Sequence, residues 1–240
     1  MFQADAYEYI CKLPEQIPEQ ARGRIRPEIA AQLGLPVKNM FPEFAEAFPL
    51  TVTAMDTHFS RPIAGLEQRP ATGNWLTVLL LENPHSNLFF DLRSINYPLN
   101  GPDYDRDHAM LPPQWRELYR WFESFVITAG SVKPMEWWNT PFSYAGRLNF
   151  TEFCQGSGAT KADVRSFKKI VDSDQMMCWL LTEGGDALFL DEARCDHKVY
   201  HVRGSALSDA VVLPNAHTTL DRYLAHVVSG GLPANFEFRS

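Results

Sequence analysis

"MMCWLLTEGGDALFLDE", Met176 to Glu192, sets two apolar runs on either side of Gly184-Gly185. Two readings compete for the glycines. A phosphate loop needs a strand running in and a helix running out, so that the helix amides face the anion. A β-hairpin needs only the positive φ that glycine supplies. Here the chain leaves the glycines into "DALFLD", which reads as a strand, and Glu183 and Asp186 would repel a phosphate. Neither G-x-G-x-x-G nor G-x-x-x-x-G-K-[ST] occurs. The stretch is therefore expected to be a hairpin, with strands at Met176 to Leu181 and Ala187 to Asp191.

The flanking segments extend this pattern. A third strand is expected at Lys198 to Arg203, and "TKADVRSFKKIVDS" spaces Val164, Phe167 and Val171 as the inner face of a helix. A last helix starts near Thr218, where Thr218 and Asp221 have capping-box spacing. Its stripe is Leu220, Tyr223, Leu224, Val227 and Val228, and Gly230-Gly231 stops it. Upstream, "LPPQWRELYRWFESFVI" is read as a helix with Trp115, Leu118, Phe122 and Phe125 on one face. "NWLTVLLLENPHSNLFFDL" gives two more strands, Trp75 to Leu81 and Leu88 to Leu92. The opening stretch, broken by Pro14, Pro18, Pro27 and Pro36, admits only short helices, one of them from about Pro27 to Leu33. "FPEFAEAF" is another, with Phe41, Phe44 and Phe48 on a shared face. Hairpins between helices, without βαβ alternation, predict an α+β fold: a mainly antiparallel sheet with helices packed on it. "NYPLNGPDYDRDHAM" reads as a polar loop and the best internal boundary. It would separate an N-terminal α+β region, residues 1–105, from a second region, 106–240, unless the two form one continuous domain.

Composition narrows the function. The chain has 240 residues, 45% of them hydrophobic, enough for a sizeable core. The net charge of -7 argues against a nucleic-acid binder, whose phosphate contacts need clustered Lys and Arg, and suits a basic protein partner. The first residues, "MFQADAYEYICKLPEQ", carry acids where a signal peptide needs a basic segment, and no apolar run approaches the ~20 residues of a membrane span. A cytoplasmic protein with no membrane partner is expected. Its four scattered cysteines, Cys11, Cys154, Cys178 and Cys195, are expected to be reduced.

Each candidate for chemistry has a plainer reading. "QGSGATK", Gln155 to Lys161, is a glycine-rich loop without Walker spacing, and reads as a loop plus helix cap. Cys195, His197 and His201 would share one face of a strand, but His197 and His201 would then stand roughly 13 Å apart, too far to share an ion. A solvent-facing strand is the expectation. "DYDRDH" begins like a calcium loop, yet its sixth position is His108 and its twelfth is Gln114. A solvated acidic loop is expected instead, with no metal and no cofactor. G-x-S-x-G and H-E-x-x-H are absent, Cys154 and Cys178 read as inert thiols, and Trp137-Trp138 reads as core or interface.

One resemblance emerges from these elements. Leu111, Pro112 and Trp115 in the Leu-Pro segment, Gly184, Gly185 and Asp186 in the hairpin, and Asp191 after it together resemble the SUKH superfamily of immunity and regulatory proteins. The resemblance covers about Leu111 to Gly231, and departs from the family where Gly130 falls late after the first helix. It implies a non-catalytic role: binding and neutralising a toxin delivered by a neighbouring cell, as in type VI secretion. Recognition sites vary in such families, so no site residue carries over from it. The acids outside the apolar pattern, Asp103, Asp105, Asp107, Glu183 and Asp186, are the expected contacts to a basic toxin surface. The alternative is a hydrolase-like enzyme with an unrecognised site using Cys154 or His217.

Overall fold

The computed structural model describes residues 9–68, 75–92, 97–129, 142–143, 148–171, 175–182, 185–203 and 206–240. Trp137, Trp138, Glu183 and Gly184 lie outside the described residues. The fold is α+β, and the antiparallel β-structure is divided between two sheets rather than gathered in one.

The first sheet is a meander in which each strand pairs with its neighbour in sequence. Its strands are β1 (Tyr9–Cys11), β2 (Ile63–Gln68), β3 (Trp75–Glu82), β4 (Ser86–Leu92), β5 (Phe122–Ala129) and β6 (Phe142–Ser143). Period-2 alternation divides its side chains. Leu79, Leu81, Leu88 and Phe90 enter the main core, while Val78 and Leu80 join Ile63 in a second cluster on the other face. The second sheet runs β11 (Val211–Val212), β10 (Tyr200–Val202), β9 (Ala187–Asp191), β8 (Met176–Leu181) and β7 (Leu148–Asn149). It too is buried on both faces. Leu188 and Leu190 face the main core, while Ala187 and Phe189 face a smaller core.

Helices fill the space around the sheets. Five short ones open the chain: α1 (Glu19–Arg22), α2 (Pro27–Ala30), α3 (Val37–Met40), α4 (Pro42–Ala47) and α5 (Pro49–His58). Prolines start α2, α4 and α5 at positions where an amide would have no partner. The expected face of Phe41, Phe44 and Phe48 is fully buried. Then come α6 (Pro102–Asp107), α7 (Glu117–Arg120), α8 (Phe150–Ser157), α9 (Lys161–Val171) and α10 (Ala216–Val228). Phe153 of α8 with Phe167 and Val171 of α9 closes the smaller core against Phe189. The "QGSGATK" stretch is only partly the expected loop: Gln155–Ser157 are the last turn of α8, which Gly158 ends at φ 68°, and Asp163 accepts from the Thr160 amide and hydroxyl as α9 begins.

Three sequence expectations fail for identifiable reasons. "LPPQWRELYRWFESFVI" is not one helix. A 3-10 turn (Pro113–Arg116) and the single turn of α7 bury Trp115, Leu118 and Tyr119, and the chain then extends as β5 from Phe122. The segment after Phe122 holds Val126, Ile127 and Thr128, whose branched side chains favour strands, and β4 supplies the partner through pairs such as Phe90 with Phe125. The supposed polar loop contains α6, which buries Tyr104 and is followed by the wholly buried His108. Thr218 does not cap α10: the helix starts at Ala216, and Asp221 acts elsewhere.

Asp221 joins distant parts of the chain. Its Oδ2 accepts from the Leu50 amide at 3.0 Å, and its Oδ1 accepts from the Thr51 amide at 2.9 Å and the Thr51 hydroxyl at 2.7 Å. It thereby caps α5, whose own N-cap residue, Phe48, has no acceptor side chain. The main core spans residue 105 in the same way: it runs from Cys11 to Phe238, and Phe122 of β5 meets Phe41, Phe44 and Phe90 at ring separations of 4.9, 5.5 and 4.7 Å.

Asp221→Ala removes a helix cap and leaves the buried Thr51 amide without its acceptor, while the Thr51 hydroxyl keeps the Asp221 carbonyl at 3.1 Å. We expect a loss of about 2–4 kcal/mol, read as a lower urea midpoint at unchanged slope. Asp221→Asn keeps an acceptor oxygen and is expected to lose about half as much.

Candidate functional site

The hairpin that joins β8 to β9 builds the most connected polar cluster. Gly185, at φ 84°, donates its amide to the Thr182 carbonyl at 2.9 Å, and the Thr182 amide donates to the Asp186 carbonyl at 2.9 Å. The Thr182 hydroxyl accepts from the Asp186 amide at 3.1 Å. The turn thus fixes Asp186 at the mouth of the hairpin. In the β9–β10 pairing His201 lies opposite Leu188, two residues beyond Asp186, so the two polar side chains meet diagonally on one sheet face.

Their contact is close. His201 Nε2 lies 2.7 Å from Asp186 Oδ1, with the imidazole 0% and the carboxylate 12% exposed. Arg239 Nε donates to His201 Nδ1 at 2.9 Å. An arginine can only donate, so Nδ1 accepts and the imidazole proton resides on Nε2, directed at Asp186. Arg239 continues the chain to Asp209, whose carboxylate accepts at 2.8 Å and whose carbonyl accepts at 2.6 Å. Phe238 stacks on the imidazole at 5.1 Å. Burial lowers the His201 pKa, hydrogen bonding and charge from Asp186 raise it, and the Arg239 and Arg203 cations lower it further. Both ring nitrogens are bonded to protein groups in this arrangement, so a substrate proton could reach Nδ1 only by displacing Arg239.

The location of His201 corrects the expected solvent-facing strand. Asp191 accepts from the Ala193 and Arg194 amides at 2.9 and 3.3 Å, and Asp196 accepts from the Lys198 amide at 3.1 Å. These local bonds bend the chain away from β geometry. Cys195 and His197 take positive φ, 47° and 59°, so the alternation that would have aligned Cys195, His197 and His201 does not exist. Among the described residues no cluster of three or more His, Cys, Asp or Glu could hold a metal ion.

Asp186, expected as a partner contact, is instead turned inward onto His201. Asp103, Asp105 and Asp107 do face outward, from α6 rather than from a loop. Asp103 is 71% exposed and pairs with Arg106 at 3.0 Å. Asp105 is 63% exposed and stands 3.7 Å from Arg116. Asp107 reaches Arg106 at 3.3 Å. The helix is anchored from below, where the Tyr104 hydroxyl donates to the Arg116 carbonyl and the buried His108 ring stacks on Tyr119 at 5.6 Å.

Cys11, Cys154 and Cys178 lack the environment of a nucleophile. Burial raises the pKa of Cys11 and Cys154 and pushes Cys178 up to about 12. A catalytic cysteine needs the opposite shift. Cys154 borders the smaller core, whereas His217 packs edge-on to Phe48 at 5.0 Å in the main core, and no hydrogen bond joins them. An open cleft of about 580 Å³ lies along α5, α10 and the C-terminal segment, bordered by Thr53, His58, Arg222, His226, Phe236 and Ser240. It holds no nucleophile–base pair among the described residues.

Comparison with family models, with characterised proteins and with solved structures finds no match. No helix among the described residues is long and apolar enough to cross a membrane.

At pH 8, iodoacetamide is expected to leave Cys178 and Cys11 unmodified in the folded protein while Cys195 reacts. Peptide mass spectrometry reads this directly, and alkylation of Cys178 before unfolding would contradict its burial.

Proposed function

We propose that this chain is an immunity-type binding protein that neutralises a bacterial toxin by direct contact, with the outer edge of α6 meeting a basic surface on the toxin. The observation that carries the reading is the presentation of Asp103 and Asp105, both well exposed on a helix held from beneath by Tyr104 and His108. A pre-positioned charge loses little entropy on binding and speeds encounter with an oppositely charged partner. The net charge of -7 supports the same partner chemistry. So does the inward use of the Asp186–His201 pair, which withdraws the best acid–base candidate from catalysis. The resemblance of Leu111, Pro112, Trp115 and the hairpin to SUKH immunity proteins points the same way.

Co-expression with the product of an adjacent toxin-like gene tests the proposal. The expected result is rescue of growth and a co-purifying complex. Asp103→Lys with Asp105→Lys is expected to weaken that complex tenfold or more, mainly through a slower association rate that becomes less dependent on salt. Rescue without any complex, or a complex unaffected by the double reversal, would reject the proposed contact.

A further inference from the structure

The C-terminal segment after α10 is held by a small number of polar contacts, one of which reaches a buried titratable side chain. It passes through a 3-10 turn (Pro233–Asn235) and lays Phe236 and Phe238 against Tyr223 of α10 at 5.3 and 5.0 Å. Phe238 is buried, and its other face stacks on His201. Three arginines tie the segment down. Arg239 bonds His201 and Asp209, Arg203 pairs with Glu237 at 2.6 Å, and Arg222 donates to the Ser240 carbonyl at 3.0 Å. The Arg203, Arg222 and Arg239–Asp209 contacts are exposed, where an ion pair contributes little. The inward anchor is the Arg239–His201 bond.

We infer that residues 236–240 form a pH-sensitive latch, closed while His201 is neutral and released when its Nδ1 takes a proton. The bond from Arg239 exists only if Nδ1 offers a lone pair. Protonation puts an N–H there, 2.9 Å from the donor Nε of a permanent cation. Donor then faces donor and charge faces like charge. The charged groups that act on the imidazole are Asp186 from the β8–β9 turn, Arg203 at the end of β10 and Arg239 from the segment itself, with Glu237 paired to Arg203 and Asp209, in the 3-10 turn Leu207–Asp209, paired to Arg239. α10 contributes the neutral Tyr223 through Phe238. Asp186 keeps its bond to Nε2 in either state, so protonation is directed against Arg239. Release frees the Phe238 ring from His201 and Tyr223 and removes Phe236, Glu237 and Ser240 from the wall of the cleft.

The sign of the effect follows from the burial of His201. Its folded-state pKa lies below the ordinary value of about 6.5, so the unfolded chain binds the proton first. The latch's contribution is complete above that ordinary value and is lost as pH falls through the folded-state pKa.

The test is NMR of the full chain carrying 13C-labelled His and Phe, titrated from pH 8 to pH 4.5. The expected result is that the His201 Cε1 signal and the Phe238 ring signals move with one midpoint below 6.5. In His201→Gln, whose side-chain oxygen can accept from Arg239, Phe238 is expected to keep its closed position throughout. In Arg239→Ala, Phe238 is expected to sit at the open position already at pH 8. If His201 titrates while Phe238 stays in place, or if His201 remains neutral until the protein unfolds, the latch is refuted. Should His201→Gln not fold, Arg239→Ala decides: a Phe238 ring still closed at pH 8, or still following the wild-type titration, overturns the inference.

Discussion

A carboxylate on the last helix, α10, holds α5 at its start. Asp221 sits on α10, 170 residues beyond Thr51, yet it supplies the acceptors that the N-terminus of α5 lacks. The reason lies in what precedes α5. Phe48 is required by the core and cannot cap. The same solution recurs one step earlier: α3 follows Pro36, also unable to cap, and Asp56 of α5 accepts from the Val37 and Lys38 amides at 2.7 and 3.3 Å. The caps therefore form a relay in which α10 fixes α5 and α5 fixes α3. Apolar contacts between helices tolerate sliding, whereas a carboxylate shared by two amides and a hydroxyl fits one register only. This is how prolines and phenylalanines can dominate the opening sixty residues without leaving them loosely arranged.

Sequence periodicity recovered the elements whose partners are local. β3, β4, β8 and β9 were legible because each belongs to a hairpin whose turn residues lie between the two apolar runs. The elements that failed depend on something far along the chain. The segment leading into β5 has helical spacing at Trp115, Leu118 and Phe122, and becomes a strand from Phe122 because β4 pairs with it along its length. Asp221 has the spacing of a local cap and serves a distant one. α5 itself was missed, since "PLTVTAMDTH" has β-branched residues and no cap of its own.

The Asp186–His201 pair shows where a site was half legible. Reading "CDHKVYHVR" as one unbroken strand placed His201 toward solvent beside Cys195. An Asx-type turn at Asp196 breaks that strand, another at Asp191 turns the chain just before it, and both signals were present in the sequence. Given the hairpin, β10 pairs next to β9, and parity then sets His201 on the side of Leu188 and Asp186. No spacing rule could supply Arg239, which arrives from the far end of the chain and decides the tautomer of the imidazole.

The same chemistry bears on how the protein would hold a partner. A six-residue helix such as α6 is about 9 Å long and presents far less than the ~800 Å² that each side of a stable complex usually buries. Its acids share two arginines, Arg106 and Arg116, so part of their charge is already compensated. The α6 edge is thus suited to steering and orientation rather than to residence time. Tight neutralisation requires apolar contact beside it, because affinity concentrates in a few desolvated anchors ringed by polar groups. In the proposed complex, an acidic edge on an anchored helix would set the direction of approach, and the depth of the complex would come from surface adjoining α6.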